Sequence, residues 1–245
     1  MFKPRLQGLS AALCTALLLP VGAHALDGQH IMVHGGSNPA VLPCISCHGA
    51  DGKGMAAAGF PRLAGLPADY IVKQIQDIKT GKRLNPVMKA MSDVITDDEL
   101  RAVADAYAAL PKVNVAAVET AALVPGSGAW IALRGAWDRN IPECTLCHGP
   151  SGLGVGNVFP PLAGQPTSYL ENQLKSWKGN PPAKAGKRAA KAPVNTGITR
   201  QNDPNGLMQH IAASLTDAEI KAVAEYFGNL ADTTEFFDES QHRLR

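Results

Sequence analysis

The sequence predicts an all-α fold made of two helical units in tandem. A set of motifs occurs twice, about 100 residues apart, and the apolar residues after each motif recur every three or four positions, as on one face of a helix. No segment shows the alternating pattern of a strand. The length of 245 residues suits two domains of about 100 residues each.

Each unit contains two cysteines separated by two residues and followed directly by a histidine. The two copies are Cys44, Cys47 and His48, and Cys144, Cys147 and His148. This pattern is the attachment signature of a c-type haem, in which the thiols form thioethers with the haem vinyl groups and the histidine binds the iron. Two copies predict two covalently attached haem c groups.

Three other interpretations of the cysteine pairs are weaker. A structural zinc site needs four nitrogen or sulfur ligands close together, and neither pair has a local second half. A thioredoxin-like redox pair would lie in a βαβ pattern, which is absent here. Disulfides are compatible with an exported protein, but the histidine after both pairs would then be a coincidence.

Residues 1–25 resemble a secretory signal. Lys3 and Arg5 precede an apolar stretch, and Ala23 and Ala25 form a small-x-small cleavage site. The fifth cysteine lies inside this segment, so all four mature cysteines belong to the two motifs. We expect a periplasmic protein, with an uncleaved N-terminal anchor as the alternative.

The overall charge excludes one class of partner. The chain carries 23 Lys and Arg against 21 Asp and Glu, and the counts become equal without Lys3 and Arg5. A balanced charge gives no basis for nucleic-acid binding.

The helices of the two units can be placed in order. Ile31 and Gly35 match Ile131 and Gly135 in a short helix before each motif. After the motifs, residues 60–65 (FPRLAG) match residues 159–164 (FPPLAG). A longer amphipathic helix follows, and it carries the matched pairs Tyr70 and Tyr169, and Gln74 and Gln173.

Each unit closes with a helix that begins at a capping box. Thr96 and Glu99 in the first unit match Thr216 and Glu219 in the second. Threonine at the N-cap and glutamate three residues later satisfy unpaired donors of the first turn, so both helices should begin at these threonines.

The spacing between matching residues grows from about 100 to about 120, which locates an insertion in the second unit. We therefore divide the chain into domains at 26–115 and 116–232, with a basic loop insertion at 178–206 and an acidic tail at 233–245. The segment from Lys175 to Arg200, both included, holds seven basic residues and no acidic one. Such a run is usually a solvated surface, and a docking patch for an acidic redox partner is the alternative.

Methionines are the candidates for the second axial ligand of each iron. Met208 lies seven residues before Leu215, and Met88 lies seven before Ile95, in the same register relative to the capping boxes. Met91 is the rival in the first unit. In the second unit the rival is His210, which has no counterpart in the first. The sequence predicts His48 with Met88 and His148 with Met208 as the iron ligands.

These motifs together resemble the dihaem cytochromes of the cytochrome c4 class, from about Asp27 to about Leu230. The resemblance implies two cytochrome c-like domains related by pseudo-twofold symmetry, with His/Met ligation of both haems. It also implies electron transfer between a periplasmic dehydrogenase or a quinol-oxidising complex and a terminal oxidase. Peripheral association with the membrane stays open.

Two classes of function follow from this resemblance. The first is a pure electron carrier, either free or as a fixed subunit of a dehydrogenase complex. The second is a dihaem enzyme that acts on thiosulfate or peroxide. Thiosulfate-oxidising relatives use cysteine as a distal ligand, and the mature chain has no spare cysteine. Peroxidases need an open distal site, whereas each unit offers a methionine. We therefore expect an electron carrier with no catalytic residues.

Overall fold

The computed structural model describes residues 27–115, 123–179 and 199–230. Within these ranges the chain is helical, and its only β contacts are isolated bridges. The all-α prediction is confirmed. The predicted signal, most of the basic insertion and the acidic tail lie outside the described residues. No described helix is long and apolar enough to cross a membrane.

Ten described α-helices fall into two sets of five. The first set is α1 (Gly28–His34), α2 (Ile45–His48), α3 (Ala68–Lys79), α4 (Pro86–Ser92) and α5 (Asp97–Ala109). The second set is α6 (Gly128–Arg134), α7 (Cys144–His148), α8 (Thr167–Lys178), α9 (Leu207–Ser214) and α10 (Asp217–Gly228). The division proposed at residues 115 and 116 falls between the two sets.

The first and last helices of each set pack closely against each other. In the first set, a Cβ on Gly28 would lie 2.0 Å from the carbonyl oxygen of Ala102. In the second, a Cβ on Gly128 would lie 2.0 Å from the carbonyl oxygen of Ala222. Glycine is required at both positions because no side-chain atom fits between the two backbones.

The two capping boxes form as predicted, and each glutamate also holds a loop that precedes a haem motif. Glu99 Oε1 accepts a hydrogen bond from Ser37 N at 2.6 Å, while its Oε2 accepts from Thr96 N. Glu219 forms an ion pair with Arg139 at 2.6 Å and accepts from Thr216 N. These bonds connect the start of each closing helix to the loop that precedes the Cys-x-x-Cys-His motif of the same domain.

Each set encloses its own apolar core. The helices predicted from the sequence supply most of the buried side chains. In the first core these include Ile31, Ile71, Leu100, Val103 and Tyr107. In the second they include Ile131, Leu170, Ile220, Val223 and Phe227.

The end of the basic run differs from the expectation of a solvated or partner-facing surface. Arg200 is only 4% exposed and forms an antiparallel bridge with Arg83 of the first domain. Leu84 N donates to Thr199 O at 2.7 Å, and Gln201 N donates to Lys82 O at 2.8 Å. The boundary at 178 also shifts slightly, since α8 includes Lys178. The charge pattern could not predict the burial of Arg200, because a buried arginine and an exposed one look alike in a sequence.

Candidate haem sites

The histidine of each motif is the last residue of a short helix. His48 ends α2 and His148 ends α7, and both side chains are buried. The glycine that follows each histidine has a positive φ, which turns the chain back over the motif. The histidine carbonyls then accept hydrogen bonds from Gly54 N at 2.8 Å and Gly154 N at 2.6 Å.

A backbone carbonyl fixes the orientation of each imidazole. His48 Nδ1 lies 2.9 Å from Pro61 O, and His148 Nδ1 lies 2.8 Å from Pro160 O. A carbonyl only accepts, so Nδ1 carries the proton and donates it, which leaves the Nε2 lone pair available to a metal. Burial lowers the pKa of both histidines and so favours this neutral form.

The four motif cysteines are partly buried. Burial raises the pKa of Cys44 to about 11 and that of Cys144 to about 12. No disulfide joins the two cysteines of either motif. The described residues also contain no group of three or more His, Cys, Asp or Glu that could hold a metal ion, so the zinc alternative gains no support.

The second domain contains a cavity of about 450 Å³ lined by all four of its predicted site residues, Cys144, Cys147, His148 and Met208. Apolar side chains complete most of the wall: Leu162, Leu170, Leu174, Ile211, Val223 and Phe227. Polar side chains line the cavity where it reaches the first domain, among them Gln74, Gln173 and Arg200. An apolar chamber with thiols and a histidine on its wall and a polar side fits a haem, which is an apolar plate with a carboxylate edge.

Backbone hydrogen bonds support the equivalence of Met88 and Met208. Ile95 N donates to Met91 O, and Leu215 N donates to Ile211 O. Met91 therefore corresponds to Ile211, and Met88, three residues earlier, corresponds to Met208. Met88 N also donates to the side chain of Asn85, the N-cap of α4. His210, the rival in the second domain, is exposed.

A polar cluster at the domain contact was not predicted from the sequence. We call it the interface cluster, and its members are Gln74, Asp77, Arg83, Tyr169, Gln173, Arg200 and Asn202. Gln74 and Gln173 occupy matching positions on α3 and α8, and each accepts hydrogen bonds from both arginines. The repeated Tyr-x-x-x-Gln pattern was the only sequence signal for this cluster.

A second contact joins the domains beside the motif loops. Gln165 accepts from Arg62 N at 3.0 Å and donates to Arg62 O at 2.9 Å. Asn157 donates to Asp69 at 2.7 Å, and Ser168 donates to Ala56 O at 3.2 Å. The two domains are therefore joined by polar bonds at two places.

Two family models match separate parts of the chain. The model described as cytochrome c matches residues 140–231. The model described as cytochrome c oxidase, cbb3-type, subunit III matches residues 42–105. Each match contains one Cys-x-x-Cys-His motif, and together they indicate two covalent haem c groups.

Whole-chain comparisons find relatives of two kinds. The chain is 50% identical over 215 residues to the thiosulfate dehydrogenase electron acceptor of Stutzerimonas stutzeri, covering 88% of this chain and 91% of that one. It is 33% identical over 220 residues to cytochrome c4 of Pseudomonas aeruginosa, covering 89% and 98%. The solved thiosulfate dehydrogenase (TsdBA) of Marichromatium purpuratum matches with a TM-score of 0.66 and 36% identity, over 82% of this chain and 39% of that one.

Proposed function

Because the chain belongs to the cytochrome c4 family of dihaem electron-transfer cytochromes, we propose that it is a periplasmic carrier that accepts electrons from a thiosulfate dehydrogenase. The observation that carries this donor is the 50% identity, over most of both chains, to a thiosulfate dehydrogenase electron acceptor. We propose a terminal oxidase as the acceptor, and a quinol-oxidising complex as the competing donor.

We propose the same ligand set for each haem. Cys44 and Cys47 attach the first group, with His48 and Met88 as axial ligands. The second domain repeats this arrangement: Cys144, Cys147, His148 and Met208. The placement of these four residues around one cavity supports the set in the second domain, and the hydrogen-bond register that equates Met88 with Met208 extends it to the first.

The chain's own residues set the conditions for electron transfer. A bound haem c supplies an iron that takes up and releases one electron at a time. His48 and His148 present Nε2 with a fixed tautomer, because Pro61 and Pro160 hold the Nδ1 protons. The apolar wall excludes water, so the solvent reorganises little when the charge on a site changes. A thioether sulfur as the second ligand favours the reduced state.

The donor can be tested with the purified holoprotein. Oxidised protein is mixed with its thiosulfate dehydrogenase and thiosulfate, and reduction is followed by the visible absorption of the ferrous haems in a stopped-flow instrument. We expect fast reduction of both haems that requires the dehydrogenase, since the proposal assigns the oxidation of thiosulfate to that enzyme and not to the carrier.

The matched control replaces the dehydrogenase with a quinol-oxidising complex and its quinol. If only this complex reduces the haems, the proposed donor is wrong and the carrier role stands. A cytochrome that copurifies with the dehydrogenase in a fixed ratio and does not exchange would instead be a subunit of that complex.

A further inference from the structure

Two buried arginines from different domains meet at the centre of the interface cluster. Arg83 is 7% exposed and Arg200 is 4% exposed. Gln74 Oε1 accepts from both guanidinium groups, at 3.1 Å and 3.0 Å, and Gln173 Oε1 accepts from both at 2.9 Å. Two like charges are therefore held side by side by shared neutral acceptors.

The described part of this cluster holds less negative charge than positive: Asp77 acts electrostatically on Arg83 but forms its ion pair with Lys73. Neither guanidinium forms an ion pair with a carboxylate there, and their other side-chain acceptors are amide and hydroxyl oxygens, such as Tyr169 Oη at 3.1 Å from Arg83. The carboxylate of the cluster, Asp77, is bound to Lys73 and to Asn202 Nδ2. Burying an unbalanced charge is costly, and burying two adjacent like charges costs more.

Arg200 also lines the haem cavity of the second domain. Its guanidinium lies 3.7 Å from the ring centroid of Trp177. Trp177 Nε1 is buried and has no hydrogen-bond partner among the described residues. Arg200 and Trp177 both line the cavity that also contains Cys147 and His148. Arg83 does not line the cavity itself, but it donates hydrogen bonds to Tyr169 and Gln173, which do. A buried cation and an unused N–H donor thus lie on the wall of one chamber, with a second cation behind it.

We propose that Arg83 and Arg200 form a shared anion site, at the domain contact, for the carboxylates of the haem held in the second domain. A haem has its two carboxylates on the edge remote from its vinyl groups. Cys144 and Cys147 would hold the vinyl side, so the proposal places the carboxylate edge away from them, beside Arg200 and Trp177, which line the same cavity. Carboxylates there supply the missing negative charge and an acceptor for the indole N–H.

The proposal makes Arg83 of the first domain part of the environment of a haem bound in the second. A cation beside a haem disfavours the more positive ferric state, so removing it lowers the reduction potential. This dependence holds whichever protein donates the electrons. The test therefore uses an electrode and needs no partner protein.

The experiment compares Arg83→Gln and Arg200→Gln with the wild type, all as holoproteins, by spectroelectrochemical titration of both haems. We expect at least one midpoint potential to fall in each variant, by a factor of at least three in the reduction equilibrium, which is roughly 30 mV for one electron. Arg101→Gln is the control because it removes the same charge from an exposed site on α5. Its potentials should stay close to those of the wild type, since solvent screens an exposed charge.

A purely structural role would give a different pattern. Arg83→Lys keeps the charge and loses the planar fork, so it should retain most of the wild-type potential. If Arg83→Lys and Arg83→Gln shift the potentials equally, or if neither glutamine variant departs from Arg101→Gln, the proposal is wrong.

A measurement on the unmodified holoprotein avoids any folding defect of the variants. Resonance Raman bands from bending of the haem carboxylates shift when the hydrogen-bond donors are deuterated. We expect such a shift after exchange into D₂O, and unchanged bands would contradict the proposal.

Discussion

At the scale of single residues, the most informative contacts are the two between a histidine ring and a proline carbonyl. The repeated segment Phe-Pro-x-Leu-Ala-Gly was visible in the sequence, but its purpose was not. The structure shows that its proline supplies the acceptor for Nδ1 of His48 or His148. The next residues bond back to Gly52 or Gly152 through Leu63 N and Leu162 N. Segment and motif therefore form one unit.

The methionine ligands are open to a direct spectroscopic test. A thioether bound to ferric haem gives a weak charge-transfer band near the red end of the visible spectrum. Met208→Ala should remove about half of this band and lower one reduction potential, because a thioether ligand favours the ferrous state. Met88→Ala should remove the other half.

Met91→Ala is the matched control for the first domain. Met91 lies on the same helix as Met88 and is similarly half-buried, so its loss should leave the band intact. If Met91→Ala removes half of the band and Met88→Ala does not, the register that equates Met88 with Met208 does not govern ligation.

The motif cysteines and histidines could be predicted from the sequence because covalent attachment of a haem requires them at a fixed local spacing. The distal methionine has no such pattern, and only the comparison of two copies in one chain selected Met88 over Met91. Arg83 and Arg200 could not be predicted in this way. They lie in segments where the two copies differ in length, so no register related them.

At the scale of elements, the two closing helices depend on glutamates with low pKa values. The hydrogen bond from Ser37 N lowers the pKa of Glu99 from 4.5 to about 2. The hydrogen bond from Arg139 does the same for Glu219, again to about 2. Both carboxylates thus bind protons more weakly in the folded state than in the unfolded one.

The sign of the resulting pH dependence follows from linkage. The stabilisation is fully present above pH 4.5 and is lost as the pH falls toward about 2, because the unfolded state then takes up protons first. We expect the free energy of unfolding, measured by denaturant titration of the holoprotein, to fall across this window. Glu99→Gln and Glu219→Gln should each reduce the slope. Glu225→Gln, at an exposed site on α10, should leave the slope unchanged.

The crossing of α6 and α10 gives a prediction about packing. Gly128→Ala should destabilise the protein by about 3 kcal/mol, since the added methyl would overlap the backbone of α10 and force the helices apart. Gly81→Ala is the control. Its methyl would meet nothing within 4 Å, so it should cost only the ~1 kcal/mol of a left-handed conformation. Equal losses in thermal unfolding of the two variants would show that the crossing tolerates a side chain.

Most elements could be predicted because local signals were strong. Thr96 and Thr216 marked helix starts through capping boxes that the structure confirms. Helices α4 and α9 were not predicted as helices. Each is short, and Pro86 or Gly206 at its start reads as a turn when tertiary packing is unknown.

At the scale of the whole molecule, the basic run offers a test of partner docking. Its central residues lie outside the described part of the chain, so this prediction rests on the sequence. If these charges steer an acidic partner, replacing Lys184, Lys187, Arg188 and Lys191 with glutamine should slow electron transfer at low ionic strength. The effect should shrink as added salt screens charges beyond about 8–10 Å.

The buried Arg200 refines this test. It belongs to the same basic run, but it contacts the first domain instead of solvent, so it should not be counted among the steering charges. Unchanged potentials in the quadruple variant would confirm that only association was altered. If the variant reacts as fast as the wild type at low salt, the run is an ordinary solvated surface.

The interface cluster also has a consequence for assembly. Matching residues of the two halves meet there: Gln74 and Gln173 each accept hydrogen bonds from Arg83 of the first half and Arg200 of the second. A patch that meets its own counterpart is isologous, and such a contact closes on itself without leaving a second copy exposed. An ancestor with one haem domain could have formed the same contact as a homodimer. Fusion of two gene copies would then have converted that dimer into a single chain without requiring a new surface.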